Sequence, residues 1–441
     1  MSQKINLVNK VLRMNNLKGA IQMEQSLLPY LRKMKKNIKK CSFSDLEIKN
    51  GEFLLSFLKI LNYFLKEDIK NDKDRVQYII DNNIFGFSRE KTNIEGILLL
   101  FKEIFKDLDL DFSKLEEHII HINNIEELIE KLNNMKFDVI IGNPPYQSEG
   151  GYKGLGALWP KFINLSIDTL EEGGILNLIT PFTWFSPGFN DLRNKMTSFN
   201  LAQVDLDVKK YFEKIGSGFS SWILIKETKY DKTVFIQNGK EVYGNIRNRE
   251  FLPNRVNETV FSILDKTIWN KKIPKLKVNI SSECHSQDDT KVRFQKDDIF
   301  KYPVYHTNTV LTYCKKPHSN FYDKKVIFAL TGNFNPIYDP GTMGTGQNVF
   351  WINVKDENEG QNIINFFSSK LWTFINARCR WSGANTRGLY YLIPKFDFSQ
   401  KITDKELYHN EYYNLKEEEI EYLEKNLSYT PGGNDRTRKK A

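Results

Sequence analysis

The residues best suited to chemistry are Asn143-Pro144-Pro145-Tyr146, which directly follow the apolar run Phe137-Asp138-Val139-Ile140-Ile141 and the turn residue Gly142. An exocyclic amino group on a purine is a weak nucleophile, because its lone pair is delocalised into the ring. Two acceptors that take its two hydrogens favour a pyramidal nitrogen, and a side-chain amide oxygen and a main-chain carbonyl are both acceptors. Asn143 and the carbonyl of Pro144 supply such a pair. Consecutive prolines fix φ and lack N–H donors, so the loop is stiff and its carbonyls meet no local competitors. Acceptors held in place before the reaction stabilise charge without reorganising. Tyr146 adds a π-face for a base drawn out of a duplex, worth ~1–3 kcal/mol against an unstacking cost of similar size.

The bland alternative is a Pro-Pro turn headed by Asn. Context favours chemistry, because the tetrapeptide stands at the carboxyl end of an apolar strand, where open α/β sheets bind ligands. By the same electronics an amino group in RNA, or the carboxamide of a protein glutamine, also fits. After residue 228, Lys271, Lys272, Lys275, Lys277, Lys291, Arg293, Lys315 and Lys316 interleave with Tyr302, Tyr305, Tyr313 and Phe321. That basic, aromatic stretch points to a large nucleic-acid substrate.

The elements that must position the tetrapeptide read as an α/β domain. From Asp45 to Lys226, helical stretches alternate with short apolar runs, the signature of a mostly parallel sheet covered by helices. Gly51 opens a run of Phe53, Leu54, Phe57, Leu58, Leu61 and Phe64 at helical spacing. Ile84 to Phe87, Ile119-Ile120, Phe137 to Ile141 and Ile175 to Ile179 read as strands, and Trp159 to Leu170 as a helix stopped by Gly173-Gly174. Ala202 to Val208 and Ser221 to Ile225 form a candidate antiparallel pair at the sheet edge. Residues 1–40 are helical and basic, either a lid or a solvated helix. Leu415 to Leu427 reads as a charged amphipathic helix, and residues from Thr430 onward as a disordered basic tail.

Composition narrows the class. The chain has 441 residues, 40% of them hydrophobic and 13% aromatic, which excludes a disordered protein and a single small module. The longest apolar runs, such as Gly96 to Phe101, fall far short of the ~20 residues of a bilayer span. The N-terminus carries Lys4, Lys10, Arg13 and Lys18 and no continuous apolar stretch, so a cytoplasmic or nucleoid-associated protein without a secretory signal is expected. Four scattered cysteines and six histidines show no ligand spacing, so no metal is expected. A net charge of +9 suits a polyanionic partner. The glycine-rich Asp339 to Gly346 superficially offers a second cofactor loop, but no helix-forming apolar run follows Gly346, so a plain loop near DNA is preferred. Arg378, Arg380 and Arg387 around Trp381 stay open between phosphate or base contacts and a solvated basic surface.

Asn143 to Tyr146 resembles motif IV of the adenine-specific amino-methyltransferases of restriction–modification systems, of type II and IIG character. Asp45 to Leu54 is similar to that family's first cofactor motif, with Asp45, Gly51, Phe53 and Leu54 in register. Ile84 to Phe87 resembles the second motif, His118 to Ile125 the third, and Thr180 to Trp184 and Gly216 to Phe219 later ones. Gly344 to Asn348, Ile393-Pro394 and Asp397 to Ser399 resemble the C-terminal region of such enzymes. The resemblance implies a Rossmann-like class I methyltransferase domain with a mostly parallel seven-stranded sheet, and a C-terminal α+β target-recognition domain. The expected division is residues 1–40, a catalytic domain over 41–228, a DNA-reading domain over 229–396, a helical segment over 397–429 and a tail over 430–441. The implied cofactor is S-adenosylmethionine, bound by Asp45, Gly51, Phe53, Ser88, Glu90 and Asn123. The implied partners are double-stranded DNA and a cognate restriction endonuclease or partner subunit. Tyr146 would stack the base, with Phe212 or Phe219 as a second aromatic; both are equally readable as core. Three positions depart from the family: Lys49 stands at its first turn glycine, Ser88 at the ribose-binding acid, and Asn123 at an aspartate. A catalytically inactive, DNA-binding or partner subunit on the same scaffold is the alternative that these departures allow.

Overall fold

The computed structural model describes residues 18–146, 156–208, 218–229, 232–281, 291–307, 310–329, 336–346, 349–381 and 387–427. They fall into two compact units, one of residues 1–182 and 191–247, the other of 183–190 and 248–441.

In the first unit, apolar runs build a nine-stranded sheet: β1 (Phe43–Asp45), β2 (Ile84–Ser88), β3 (Ile119–His121), β4 (Phe137–Gly142), β5 (Leu170–Pro181), β6 (Asn200–Asp205), β7 (Phe219–Ile225), β8 (Thr233–Gln237) and β9 (Lys240–Gly244), in the order β3-β2-β1-β4-β5-β7-β6-β8-β9. Strands β1 to β5 pair in parallel, and β7 enters antiparallel between β5 and β6. The helices are α1 (Lys18–Leu31), α2 (Glu52–Phe64), α3 (Asp72–Asn82), α4 (Lys91–Ile104), α5 (Ser113–His118), α6 (Ile125–Leu132), α7 (Trp159–Thr169) and α8 (Asn190–Ser198). Phe53, Leu54, Phe57, Leu58 and Leu61 of α2 bury the stripe that their spacing announced, against Phe43, Val139 and Ile141 of β1 and β4. This is an α/β fold with a mostly parallel sheet.

Three expectations are corrected here. The pair β6 and β7 is antiparallel but not the edge, because β8 joins β6 in parallel and β9 closes the sheet as a hairpin. Asn238 and Gly239 at its turn both take positive φ, 54° and 71°, the geometry that two-residue hairpins require. The sheet therefore has nine strands rather than seven and continues past residue 228. Gly173-Gly174 does not stop α7, which ends at Thr169; β5 starts before the glycines and shifts register beside them. Finally, α1 is neither lid nor solvated helix: Met23, Leu27 and Leu31 belong to the core, the Met23 carbonyl accepts from buried Asn177, and Lys36 beyond the helix pairs with Asp138 at 2.6 Å.

The second unit carries two four-stranded sheets, formed by β10 (Asn279–Ile280), β11 (Val292–Arg293), β12 (Tyr302–Thr307), β13 (Val310–Cys314), β14 (Lys325–Ala329), β15 (Ile337–Asp339), β16 (Gly344–Thr345) and β17 (Val349–Asn353). Their orders are β10-β17-β14-β15 and β11-β13-β12-β16. Its helices are α9 (Glu258–Lys266), α10 (Glu357–Phe367), α11 (Lys370–Arg378), α12 (Arg387–Tyr390), α13 (Asp404–His409) and α14 (Glu417–Lys425). Residues 183–190 join this unit through segments such as Leu252, whose N–H donates to the Phe185 carbonyl at 2.8 Å. Two sequence candidates turn out to be scaffold. The glycine-rich stretch folds around the carboxylate of Asp339, which accepts from the N–H groups of Gly341, Thr342 and Met343 and pairs with Lys325 at 2.7 Å. Arg378 is buried, its guanidinium 5.5 Å from the Phe374 ring and donating to the Asn426 carbonyl, so it cannot serve a phosphate. Among the described residues, no helix is long and apolar enough to cross a membrane.

Candidate active site

Strand order reverses between β1 and β4, which makes their carboxyl ends the point where open α/β sheets bind ligands. Parallel pairing of Phe43 with Val139 and Ser44 with Ile140 sets the two ends side by side. Asp45 ends β1, and Asn143 follows the last residue of β4. Both line one narrow cleft, with Leu46, Glu47, Gly142, Pro144 and Leu178. A Cβ on Gly142 would lie 3.3 Å from the Asp45 carboxylate, a tight contact that the glycine relieves where the two strand ends approach.

The target half is assembled as its motif suggests. Pro144 is buried, whereas Asn143, Pro145 and Tyr146 are half-buried. The Tyr146 hydroxyl donates to Asn143 Oδ1, so the amide oxygen already points to the aromatic side of the loop. The Tyr146 and Phe219 rings lie 5.0 Å apart with planes inclined at 49°. Phe219 is at once core and pocket wall: it is 3% exposed, in the main cluster, with Tyr146 packed on it. Phe212 lies outside the described residues. Burial pushes the Tyr146 phenol well above its usual range, with the bond to Asn143 opposing. It therefore stays a neutral donor at physiological pH.

The cofactor half is assembled differently from its reading. Gly51 caps α2 at a φ of 74°, a left-handed conformation that disfavours any side chain, and a Cβ there would run into Ile97. The backbone turn thus fits a donor-binding loop, and it leads into the N-terminus of a 13-residue helix. The side chains fit less well. The Ser88 hydroxyl is buried, donates to the Ile48 carbonyl at 3.0 Å and accepts from Glu90 N–H at 3.2 Å. It fastens the loop to β2 and has nothing to offer a ribose. Phe53 is core. Glu90 is exposed at the N-terminus of α4. Asn123 is exposed and its amide donates to Glu127 at 2.7 Å, which leaves its Oδ1 as an acceptor.

Two residues that the sequence reading did not assign to the site also face it. Glu47 is buried and paired with Arg89 at 3.2 Å, and the Lys49 ammonium lies 5.8 Å from the centre of the Tyr146 ring, within cation–π range. The departure at position 49 thus reaches across from the cofactor loop to the target loop, a contact between residues 97 positions apart that no local pattern announces.

Asp45 is the strained member of the site. It is 2% exposed, and burial raises its carboxyl well above the usual range, only partly countered by the Glu47 N–H at 3.1 Å. A carboxyl whose folded pKa exceeds its unfolded one favours folding below the unfolded pKa, and that contribution is lost as pH rises through it towards the folded pKa. At neutral pH, Asp45 therefore costs stability. Asp45→Asn is expected to raise the thermal midpoint at pH 7 and to lose that advantage near pH 3, as followed by circular dichroism; a lower midpoint at pH 7 would refute this origin.

The segment that carries this geometry is similar to known proteins. Residues 49–212 match the Eco57I restriction-modification methylase family. The matched segment holds Gly51, Ser88, Asn123 and Asn143 to Tyr146, while Asp45 and Phe219 lie outside it. An uncharacterised adenine-specific methylase of Mycoplasma pneumoniae is 29% identical over 194 residues, 40% of this chain and 46% of that one. The match thus spans about half the length of that relative. Two solved structures share the fold at 10% identity. A nuclease-deletion mutant of the Type ISP restriction-modification enzyme LlaGI, in complex with a DNA substrate mimic, aligns with a TM-score of 0.53 over 85% of this chain and 44% of its own. The DrdV–DNA complex aligns with a TM-score of 0.50 over 81% of this chain and 52% of its own.

Proposed function

We propose that the chain is a site-specific DNA methyltransferase that transfers a methyl group from S-adenosylmethionine to the N6 amino group of a flipped adenine. The observation that carries this reading is the placement of Asn143 to Tyr146 at the end of β4, beside Asp45 and against Phe219, inside the segment that matches the restriction–modification methylases. Asn143 Oδ1 and the Pro144 carbonyl accept the two amino hydrogens, which concentrates the lone pair on nitrogen and leaves it facing the cofactor loop. Tyr146 stacks the base while Phe219 supports the ring from behind. The turn at Gly51 and the Asp45 carboxylate hold S-adenosylmethionine, with Asn123 Oδ1 as a further acceptor. When bound, the donor supplies an electrophilic methyl group on a sulfonium. The second unit, with its basic and aromatic residues, reads the target sequence on double-stranded DNA in the cytoplasm, and a cognate restriction endonuclease is the natural partner.

The test is nucleoside mass spectrometry on DNA incubated with the purified protein and labelled donor. The label is expected in N6-methyladenine; label in RNA, in protein or nowhere would overturn the reading. Tyr146 divides its roles cleanly. Tyr146→Phe keeps the ring and removes one hydrogen bond, an effect of about 1 kcal/mol on methyl transfer. Tyr146→Ala removes the stacking face and is expected to cost ~1–3 kcal/mol in base capture, read by 2-aminopurine fluorescence at the target position. Equal losses in both variants would show that stacking is not what Tyr146 contributes.

A further inference from the structure

A second cleft of the first unit, of about 720 Å³, opens at the amino end of the parallel strands. That volume falls within the ~300–1,000 Å³ range of small-molecule sites. Its base crosses β4, β5, β7 and β6, which are neighbours in that order, so it is about 14 Å across at ~4.8 Å per strand. Asp138 marks its β4 side, and Asn143 stands five residues further along the chain, about 17 Å away at ~3.3 Å per residue. The cleft is thus at the wrong end of the strands for a donor or base bound beside Asn143.

The lining is amphipathic. Ile175 is buried and Met34, Ala202 and Ile225 are half-buried, which gives an apolar floor. Tyr30 adds an aromatic wall, anchored through its hydroxyl to Gln203 of β6 at 3.4 Å. Beyond α1 the chain crosses from this wall to Lys36 at Asp138, which lays Lys33 and Lys35 along the rim. The neighbouring charges are engaged within the protein. Asp138 takes Lys36 at 2.6 Å and the Ser42 N–H at 2.9 Å, while Lys226 donates to the Leu170 carbonyl at 2.7 Å with Glu172 3.8 Å away. Lys33 and Lys35 are exposed and form no ion pair among the described residues. At the β6 side, the Asn200 amide donates to Glu227 at 2.9 Å, which leaves Asn200 Oδ1 and the second Glu227 oxygen as acceptors beside Thr228.

We propose that this cleft is a binding site for a nucleotide, separate from the methyl-transfer site. Lys33 and Lys35 hold the phosphate, the flat base lies on the apolar floor against Tyr30, and its N–H groups donate to Asn200 and Glu227. A bare phosphate would leave the floor uncovered, and an apolar molecule would leave two lysines without a counter-charge. Cations on one rim and acceptors on the other match a ligand that is anionic at one end and a donor at the other. The inference stands apart from the methyltransferase reading, because the two clefts share no lining residue.

Calorimetric titration of the full chain with the monophosphates of adenosine, guanosine, cytidine and uridine tests this, with inorganic phosphate and S-adenosylmethionine for comparison. At least one nucleotide is expected to bind about tenfold or more tightly than inorganic phosphate, the worth of one base–aromatic contact. Saturating S-adenosylmethionine should leave that affinity unchanged. Lys33→Glu combined with Lys35→Glu is expected to weaken the nucleotide at least about tenfold, and to keep the thermal midpoint because both side chains are exposed. Ala202→Phe fills the floor and is expected to remove the advantage of nucleotide over phosphate. No binding of any monophosphate, affinity equal to that of inorganic phosphate, indifference to the lysine pair, an advantage kept in Ala202→Phe, or displacement by S-adenosylmethionine would each overturn the site. Loss of duplex-DNA affinity in the lysine variant, with no nucleotide bound by the wild type, would assign the rim to a DNA backbone and overturn it equally.

Discussion

Asn143→Ala is expected to lower kcat for methyl transfer by about 10²–10³-fold, the usual cost of deleting one preorganised polar group at a reacting centre. The effect arises because Oδ1 is one of only two acceptors proposed for the amino hydrogens, and the other, the Pro144 carbonyl, cannot move to replace it on a loop of two prolines. The amide is half-buried rather than part of the core, so its loss removes chemistry without opening a cavity. Donor affinity should change far less than kcat, since the donor is held from the turn at Gly51. Asn143→Asp, which keeps an acceptor oxygen, should fall between the two. Rapid-quench single-turnover kinetics separate chemistry from binding; a loss confined to donor affinity would contradict the assignment.

The largest expected change in stability lies in the second unit. Asp339 and Lys325 are fully buried and paired at 2.7 Å. Removing one member of such a pair leaves an uncompensated charge and typically costs 3–5 kcal/mol, roughly, even though the pair adds little over apolar residues. Asp339→Ala should reach at least that range, because the same carboxylate accepts from three backbone N–H groups and the Thr342 hydroxyl. Those donors would be left without their acceptor. The double variant Lys325→Met with Asp339→Leu removes both charges but still strands the amides, so it should recover only part of the loss. Hydrogen exchange of β14 and β17 amides reads the effect locally; a change below about 1 kcal/mol would place the stability of this loop elsewhere.

These two residues also show where the sequence was informative and where it was not. Asn143 was legible because its surroundings are local: an apolar run, a glycine and two prolines define strand, turn and stiff loop within ten residues. The α2 stripe was legible for the same reason. Asn238-Gly239 between Thr233 to Gln237 and Lys240 to Gly244 carried an equally local hairpin signal, but the change in composition after residue 228 drew attention to a domain boundary instead. The helix α1 was harder, because the lysines that follow it suggested solvent while Met23, Leu27 and Leu31 bury against the sheet.

The surroundings of the cofactor residues were less legible, for a different reason. Ser88 occupies the right place on β2, yet its hydroxyl is spent on the Ile48 carbonyl, 40 positions away in the chain. Phe53 fits its motif and is core. The glycine-rich loop, read as a plain loop, wraps the Asp339 carboxylate. In each case the backbone position followed from the pattern, and the partner of the side chain came from a distant element. Position 49 is the sharpest example, since the sequence marks a lost glycine and the fold turns it into a charge beside Tyr146.

The most direct measurement is sequencing of modified adenines in DNA from cells that express this chain, with Asn143→Ala as the control. The expected result is N6-methyladenine confined to one short sequence context and absent from the control; unmodified DNA, or modification that persists with Asn143→Ala, would contradict the assignment of Asn143 to Tyr146 as the methyl-accepting pocket.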